Sequence, residues 1–462
     1  MKQKYILFVC LVQTLLFRTT HALSIFPGDA YWADTSGVPI QAHGGGFLKL
    51  GDTYYWFGED KTEGGHLFHY VNCYKSTDLV NWEYVSHALS ADEGSGSEIG
   101  SDAVVERPKV IYNERNQQFV MWFHLDSSNY GLAKLGIAVS NTVQGPYQYQ
   151  GSVSPFDEDS RDMTVWVDEA DTAKSAYLVY ATRVNLDTVI AKLSPDYLSI
   201  QERLLKLDGI HREAYAVFKK NDLYYIVMSR ATGWDSNSNE YMYSRSMSGP
   251  WSERFQIAPG SSNTFDSQSN YVIPLPNGNF IFAGDRWNRN DLSDSRYMWL
   301  PINIGSNNDI SIHWTSQFSL DMNTGSASNR SSRAYDSRSP EADLVGNAVV
   351  MPCSGCDNGD SVGYIGLGGK LAFRGVYGSQ TATHSVLISY ANGDSTRRYA
   401  TLNVNNGAWE RNITFPKSGG GQVTKQIVVH VPLNQGAVNE LEISNEVGYA
   451  PDIDFLKIEF MG

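Results

Sequence analysis

Residues 212–230 read REAYAVFKKNDLYYIVMSR, a polar head followed by two strand-like runs on either side of Asn221-Asp222. Alternating apolar and polar residues favour a β-strand, and an Asn-Asp pair between two such runs favours a tight turn. The stretch therefore predicts a β-hairpin with Glu213 at its head. The same plan recurs in residues 41–59, 105–123, 161–182 and 267–287.

The heads of the five hairpins are His43, Glu106, Asp162, Glu213 and Gln268, at intervals of 51 to 63 residues. A second recurring segment between them, such as YKSTDLVNWEYV from Tyr74, supplies a further strand to each unit. A repeat of this length with strands throughout is typical of a propeller blade. The sequence thus predicts an all-β chain that opens with a five-bladed β-propeller over residues 23–325.

The inner strands of a propeller lie alongside its central axis, so residues at one point of each repeat converge on one face. The five heads therefore predict a common pocket. Taken singly, each charged head also has an ordinary structural explanation: solvation for Glu213, a pair with Arg161 for Asp162, a pair with Arg107 for Glu106 and a turn for His43. Their shared place in the repeat favours a functional site.

Residues 1–22 predict a secretory signal peptide, because Lys2 and Lys4 precede an apolar run that ends at the small Ala22. Its removal changes the formal net charge from −14 to −17. So acidic a surface argues against nucleic acid or anionic lipid as a partner. No later segment approaches the roughly 18 apolar residues of a spanning helix, and the protein is expected to be secreted.

Residues 326–333, SASNRSSR, are polar and predict a linker. Residues 334–462, with short strand-like runs and many glycines, predict a β-sandwich of the jelly-roll type. Cys353 and Cys356 are spaced C-x-x-C, which favours a local disulfide in an exported chain. Cys73 is expected to be buried and unreactive, and Asn329 and Asn412 lie in N-glycosylation sequons.

Three carboxylates and an amide around one funnel suggest glycoside hydrolysis, in which a protonated carboxyl group donates to the leaving oxygen and a second group activates water. Glu213 is the expected acid, since the like charge of Asp162 would raise its pKa. From about residue 25 to 320 the chain resembles glycoside hydrolase family 43, in the REAY, RDMTVWVDEAD and GDTYYWFGE segments. The resemblance implies an inverting propeller enzyme with Glu213 as general acid and Asp162 orienting it.

The family usually places an aspartate, its general base, where this chain has HGGG, residues 43–46. The branch that shares this loss is similar in ERPK, REAY and SQSNY and comprises exo-β-1,3-galactanases. Resemblance to this branch implies that Gln268 stands in for the base. Gln268 could hold the attacking water or act as an imidic tautomer, and a third possibility is that it only contacts the substrate. The resemblance also suggests substrate contacts for Glu106, His43, Glu59 and Tyr130.

The second domain resembles carbohydrate-binding module family 35 over about residues 333–462, in EAD, GYIG, SYANG and PDIDFLKIEF. That resemblance implies sugar contacts at Gly363, Tyr364, Tyr449 and Asp452. It also implies a structural calcium held by Glu341, Asp343 and Asp454. No cofactor is expected for catalysis in the propeller, because the two-group mechanism needs none.

These inferences predict a secreted, monomeric exo-β-1,3-galactanase (galactan 1,3-β-galactosidase) that trims β-1,3-galactan, as in arabinogalactan, from the non-reducing end with inversion. Two alternatives stay open. One is another activity of the family, such as an arabinofuranosidase or xylosidase, and the other is a catalytically silent galactan-binding lectin.

Overall fold

The computed structural model describes residues 23–460, so the predicted signal peptide lies outside the described residues. Strands dominate this part of the chain, and the prediction of an all-β fold is confirmed. No helix between residues 23 and 460 is long and apolar enough to cross a membrane. The helical segments found there are Pro155–Asp157, Gly260–Ser262, Asn263–Asp266, Pro276–Gly278 and Leu292–Asp294.

Two short strands, β1 (Ser24–Ile25) and β2 (Ala30–Trp32), precede five antiparallel sheets of four consecutive strands each. In chain order these sheets consist of β3 (His43–Leu50), β4 (Thr53–Glu59), β5 (Tyr70–Ser76) and β6 (Glu83–Ser90); β7 (Ala103–Asn113), β8 (Gln118–Ser127), β9 (Lys134–Ser140) and β10 (Gln148–Val153); β11 (Met163–Val167), β12 (Ala176–Thr182), β13 (Asp187–Leu193) and β14 (Ile200–Leu207); β15 (Arg212–Lys220), β16 (Leu223–Arg230), β17 (Glu240–Ser244) and β18 (Phe255–Gln256); and β19 (Gln268–Pro274), β20 (Phe280–Arg286), β21 (Arg296–Ile304) and β22 (Ile310–Ile312).

The first two strands of each sheet are the predicted hairpins. In the fourth sheet Lys220 pairs with Leu223 across a two-residue loop whose first residue, Asn221, has a φ of 52°. In the first sheet Leu50 pairs with Thr53 across Gly51, with a φ of 57°. A left-handed residue at this point matches the twist of the two strands, which explains why Asn and Gly stand there.

Apolar side chains fill the spaces between successive sheets. The first strands contact one another in the order β3, β7, β11, β15 and β19, and β19 in turn contacts β3. Between the fifth and first sheets, Trp299 packs against Phe47 and the fully buried Trp56. Each such aromatic side chain contributes about 2 to 3 kcal/mol by leaving water, so these contacts hold the five sheets together.

The C-terminal domain, residues 334–460, contains two sheets that share one apolar core. The strands that follow the fifth sheet are β23 (Phe318–Asp321), β24 (Ser326–Asn329), β25 (Ser331–Asp336), β26 (Ala342–Val345), β27 (Val349–Pro352), β28 (Asp360–Gly363), β29 (Lys370–Gly378), β30 (Ala382–Ala391), β31 (Arg398–Val404), β32 (Trp409–Phe415), β33 (Thr424–Leu433), β34 (Gly436–Ser444) and β35 (Asp452–Phe460). One sheet of the C-terminal domain has the order β2-β33-β30-β35-β28-β27 with β25 on β35, and the other has the order β26-β29-β34-β31-β32.

Two segments near the predicted domain boundaries form strands. Residues 326–333, predicted as a linker, lie in β24, which pairs with β23, and in β25, which pairs with β35. Strand β2, predicted within the propeller, pairs in parallel with β33 of the C-terminal domain. Backbone hydrogen bonds form these pairs whatever the side chains are, so a polar segment can be extended strand. The change of strand partner, between Asn329 and Ser331, falls inside the predicted linker.

The cysteine predictions are confirmed. Cys353 and Cys356 form a disulfide with an S–S distance of 2.02 Å. Cys73 is free and fully buried in β5, and burial raises the pKa of its thiol. A thiol that stays protonated and out of contact with solvent is a poor nucleophile.

Candidate active site

The heads of the repeats lie at the same end of their sheets. Glu106 and Glu213 lie in β7 and β15, Asp162 directly precedes β11, and Gln268 opens β19. All four residues are buried, and Asp162, Glu213 and Gln268 are joined by hydrogen bonds or ion pairs, partly through Arg107. A carboxylate oxygen of Glu106 lies within 4.8 Å of one of Asp162. The structure therefore brings four of the five heads into one polar cluster.

A β-bulge follows the head in four of the five first strands. The strand register shifts after His43, Glu106, Glu213 and Ser269. A bulge inserts one residue and turns the neighbouring side chains, and bulges are common next to active sites. The residue after three of the heads has a left-handed backbone: Gly44 at a φ of 60°, Arg107 at 54° and Ala214 at 56°.

The N–H group of each bulge is bound by an oxygen atom of a neighbouring sheet. The four bonds are Gly44 N to Asp285 Oδ2 at 2.9 Å, Arg107 N to Glu59 Oε1 at 3.0 Å, Ala214 N to Asp162 Oδ2 at 3.1 Å and Ser269 N to Asn239 Oδ1 at 2.7 Å. Buried N–H groups require such partners. Asp285, Glu59, Asp162 and Asn239 therefore fix the first strands against one another.

Glu213 has the properties of a general acid. Its side chain is about 5% exposed, and its two oxygens accept hydrogen bonds from Gln268 Nε2 at 2.9 Å and Asn185 Nδ2 at 2.8 Å. Burial, together with the negative charge of Asp162, raises its pKa to about 8, against the opposing effect of Arg107. Glu213 therefore holds a proton at neutral pH and can donate it.

Asp162 is paired with Arg107, not with its sequence neighbour Arg161. Its Oδ2 atom lies 2.9 Å from Arg107 Nε and also accepts the N–H of Ala214, the residue after Glu213. Asp162 therefore fixes the backbone beside the acid while its charge raises the acid's pKa. These contacts are the ones that the predicted roles of orientation and tuning require, and the roles themselves stay predictions.

Gln268 makes the four hydrogen bonds that an amide side chain can make. Its oxygen accepts from Arg107 Nη2 at 2.5 Å and Trp287 Nε1 at 2.9 Å, and its nitrogen donates to Glu213 Oε1 at 2.9 Å and Ser229 Oγ at 3.1 Å. Both partners of the oxygen are obligate donors, so the orientation of the amide is fixed. A water molecule can bind Gln268 only by replacing one of these partners.

Glu106 is held ionised by His124, not by Arg107. Glu106 Oε2 lies 3.3 Å from His124 Nδ1, and Oε1 accepts from the hydroxyl of Tyr130 at 2.8 Å. Burial opposes the charge on Glu106, but the histidine outweighs it and lowers the pKa to about 2. Despite burial, Asp126 and Glu106 raise the pKa of His124 to about 9. An ionised carboxylate of this kind accepts hydroxyl groups.

Two predicted substrate contacts, His43 and Glu59, are buried and contact other groups of the protein, and their contact with substrate stays a prediction. His43 has no exposed surface, and its Nδ1 lies 3.0 Å from Asp285 Oδ1 while its ring stacks on Tyr297. Glu59 is 3% exposed and uses its oxygens for Arg107 N and for Lys61 Nζ at 2.8 Å. Both side chains therefore help to fix the strands around the site.

The HGGG stretch has a packing explanation. A Cβ atom would lie 1.9 Å from Glu59 Oε1 at Gly44, 1.6 Å from the carbonyl oxygen of Phe57 at Gly45, and 2.6 Å from Lys109 Cδ at Gly46. The buried Lys109 donates to the carbonyl oxygen of Gly44 at 2.8 Å. At Gly45 the obstacle is backbone, so a side chain there would clash with β4, whereas at Gly44 and Gly46 a side chain would have to displace Glu59 or Lys109. Close packing therefore accounts for glycine in this part of β3.

The comparisons with known proteins agree with this geometry. The profile described as Glycosyl hydrolases family 43 matches residues 45–273. An exo-beta-1,3-galactanase from Phanerochaete chrysosporium, solved with beta-1,3-galactotriose, is 38% identical, with 94% of this chain and 100% of that chain covered and a TM-score of 0.66.

The chain belongs to glycoside hydrolase family 43. A GH43 beta-1,3-galactosidase solved with galactodeoxynojirimycin is 35% identical over 63% of this chain and 99% of that chain, at a TM-score of 0.59. An exo-beta-1,3-galactanase from Clostridium thermocellum is 26% identical over 93% of this chain and 99% of that chain, at 0.62. None of the curated proteins compared with the chain matches it. The protein is a glycoside hydrolase.

The C-terminal domain of this family 43 enzyme matches the profile described as Alpha-galactosidase, CBM13 domain, over residues 370–458. It is therefore a carbohydrate-binding module by similarity, and its assignment to family 35 stays a prediction. The predicted sugar-binding residues lie together. Tyr364 and Tyr449, 48% and 40% exposed, meet edge to face at 5.7 Å beside a cavity of about 250 Å³ that Asp452 also lines.

The predicted calcium ligands do not meet. Asp343 is ion-paired with Arg374, whereas Asp454 accepts from Ser389 Oγ at 3.0 Å and from the N–H of Asp357. Among the described residues, one group of acids and histidines has its ligand atoms within 4.8 Å of one another: Glu106, His124 and Asp162. Arg107 already neutralises Asp162 there, so this family 43 site offers a metal ion a poor set of ligands.

Sequence reasoning missed Arg107, Trp287 and Asn185 as members of this family 43 site. Arg107 lies inside the quoted ERPK motif, and Trp287 ends the fifth hairpin segment, so both were visible without an assigned role. Trp287 also packs against Trp234 at 4.8 Å, and the two border a cleft of about 460 Å³. Asn185 carries no motif and is found only through its contact with Glu213.

Proposed function

We propose that this enzyme is a secreted exo-β-1,3-galactanase that releases galactose from the non-reducing end of β-1,3-galactan with inversion. We further propose that its five sheets form a closed five-bladed propeller, supported by the contacts of β19 with β3. The observation that carries the function is the protonated Glu213 bound to Gln268, in a chain whose β3 has glycines where the family has its base.

In the proposed reaction, the carboxyl group of Glu213 transfers its proton to the glycosidic oxygen as the bond from that oxygen to C1 breaks. A water molecule attacks C1 from the opposite face, loses a proton to solvent, and leaves galactose with the inverted anomeric configuration. Glu213 regains its proton from solvent. Glu106, ionised and bound by Tyr130, accepts hydroxyl groups of the bound sugar.

Substrate entry must open the bond between Glu213 and Gln268. Inverting glycosidases place the two catalytic groups about 6.5 to 9.5 Å apart so that a sugar and a water fit between them. Here Gln268 Nε2 lies 2.9 Å from Glu213 Oε1. In the proposal, the sugar replaces this contact and frees the amide nitrogen, while Arg107 and Trp287 keep the amide oxygen in place. Gln268 then holds the attacking water.

The C-terminal domain has a separate proposed role, the binding of the same polymer. Exposed tyrosine rings stack on sugar faces, and the carboxylate of Asp452 accepts sugar hydroxyls. Linking two binding sites raises the local concentration of substrate without adding chemistry. Tyr364 and Tyr449 are therefore expected to bind galactan.

The test is galactose release from linear β-1,3-galactan, with the anomer followed by proton NMR, in the wild type, Glu213→Gln and Gln268→Ala. The wild type is expected to release α-galactose, and both variants are expected to lose at least about 100-fold in kcat. Glu202→Gln and Gln201→Ala, exposed on the outer strand β14, are the matched controls.

Three other results would contradict the proposal. Activity retained in Gln268→Ala would remove Gln268 from water activation. Release from arabinan or xylan but not galactan would favour an arabinofuranosidase or xylosidase. Sugar binding by the wild type without any release would favour the lectin.

A further inference from the structure

The loop after β20 joins the candidate active site to the C-terminal domain. This Trp287 loop, residues 287–296, begins with the indole that donates to Gln268 Oε1 at 2.9 Å. The next residue, Asn288, donates from Nδ2 to Asp294 Oδ2 at 2.9 Å and from its backbone to Ser295 Oγ at 3.1 Å. Asp294 therefore fixes the backbone directly beside Trp287.

The other oxygen of Asp294 is held by the C-terminal domain. Asp294 Oδ1 lies 2.6 Å from Lys425 Nζ of β33 and accepts the hydroxyl of Tyr31, whose strand β2 pairs with β33. Arg296 Nη2 completes the group at 2.7 Å. All of these ionic side chains are less than one fifth exposed, so the contact is well shielded from solvent.

A second ion pair and an apolar contact fix the same loop and its surroundings. Lys417 Nζ of the C-terminal domain lies 2.8 Å from Asp291 Oδ2 in the middle of the loop. The apolar core around Trp299 and Tyr297 of β21 continues into Val428 of β33. The C-terminal domain and the fifth sheet therefore form one packed interface beneath the Trp287 loop.

We propose that the C-terminal domain positions Gln268 through this chain of contacts, with Lys425 as the positioning residue, in addition to binding polymer. The inference rests on the proposed function, because it assigns a consequence to the placement of Gln268. Loss of Lys425 would leave Asp294 Oδ1 with Arg296 and Tyr31 and remove its ion pair with the C-terminal domain. Asp294 would then hold Asn288 and Trp287 less firmly, and with them the amide oxygen of Gln268. A displacement of about 1 Å in a catalytic group costs up to about 100-fold in rate.

The first arm of the experiment measures hydrolysis of β-1,3-galactobiose, a substrate for which tethering to a polymer brings no advantage. Lys425→Met is expected to lower kcat about 10-fold with KM nearly unchanged, and Lys425→Arg is expected to restore most of the loss. Lys370→Met is the matched control, because Lys370 pairs with Glu442 inside the C-terminal domain at 2.9 Å. Equal kcat values in Lys425→Met and Lys370→Met would overturn the proposal.

The second arm does not depend on activity. In protein labelled with 5-fluorotryptophan, the ¹⁹F resonance of Trp287 is assigned by its loss in Trp287→Phe. Lys425→Met is expected to shift or broaden that resonance, and Lys370→Met is expected to leave it unchanged. An unmoved Trp287 resonance in folded Lys425→Met would overturn the inference. A wild type that is inactive while this resonance still responds would refute the proposed function and leave the positioning contact established.

Discussion

The chemistry of the site depends on how one buried carboxyl group is kept protonated. The negative charge of Asp162 raises the pKa of Glu213, and the positive charge of Arg107 lowers it. Burial also raises this pKa and has the largest effect of the three. Arg107 contacts Asp162 and Gln268 directly but forms no ion pair with the oxygens of Glu213. Its effect is therefore outweighed, and the pKa of Glu213 stays raised, as a general acid requires.

This arrangement predicts the alkaline limb of activity. Because Glu213 must be protonated to act, kcat/KM should fall as pH rises through about 8, the raised pKa of the group. Asp162→Asn removes the like charge and frees Arg107, and both changes favour ionised Glu213. In Asp162→Asn, the fall of kcat/KM on the alkaline side should therefore occur at a lower pH than in the wild type, measured with β-1,3-galactobiose as substrate. Asp222→Asn, exposed in the turn of the fourth hairpin, is the control, and an unmoved limb in Asp162→Asn would contradict the assignment.

At the scale of the element, the β-bulges in the first strands of the sheets determine where the side chains of the repeat heads point. A regular strand would direct Glu213 and the following residues alternately to its two faces, whereas the bulge and the left-handed Ala214 turn the acid toward the centre. A non-glycine residue in that conformation costs about 1 kcal/mol. The bond of Ala214 N–H to Asp162 offsets that cost. In β3 the residue with the same left-handed backbone is Gly44, for which this conformation has no such cost.

Strand β3 is therefore expected to be intolerant of side chains. Gly45→Ala would place a Cβ atom 1.6 Å from the carbonyl oxygen of Phe57, in the paired strand β4. Backbone cannot move aside as a flexible side chain can, so the variant should lose about 3 kcal/mol of stability. Thermal unfolding measures the loss. Gly65→Ala, where a Cβ atom meets nothing within 4 Å, is the control, and equal melting temperatures would refute the packing explanation.

At the scale of the whole molecule, ion pairs as well as apolar contacts join the C-terminal domain to the fifth sheet and the loop after β20. Although burial opposes ionisation of Asp294, Arg296 and Lys425 outweigh it and lower its pKa from 3.8 to about 2. A carboxyl group whose pKa is lower in the folded state stabilises the fold above its unfolded pKa. That contribution is lost as pH falls through the folded value.

Asp294→Asn should accordingly destabilise the protein in a pH-dependent way. At pH 6 its melting temperature should lie below that of the wild type, by an amount equivalent to about 2 kcal/mol. The gap should narrow as pH falls from about 4 toward 2, since wild-type Asp294 then becomes neutral too. Differential scanning calorimetry of both proteins across this range gives the measurement. A gap that stays constant with pH would show that the charge of Asp294 is not its cause.

The amino-acid sequence by itself determined the strands, the hairpins and the common position of the heads. These follow from alternation, turn residues and spacing, which are properties of neighbours in the chain. It also placed Glu213, Asp162 and Gln268 at the heads of their repeats and predicted the disulfide between Cys353 and Cys356. Local patterns were sufficient for these positions, whereas the resemblance to family 43 supplied the roles of the heads, above all that of Gln268.

Only the tertiary structure decided which partner each head takes. Arg107 and Gln268 are 161 residues apart, and Lys425 and Asp294 are 131 apart, so no local pattern relates them. Contacts between separate sheets bind His43 to Asp285 and Glu59 to Arg107, and they pair β2 with β33 of the C-terminal domain. The physical reason is that buried polar groups must be satisfied by whatever the fold brings near, and that choice is made in three dimensions.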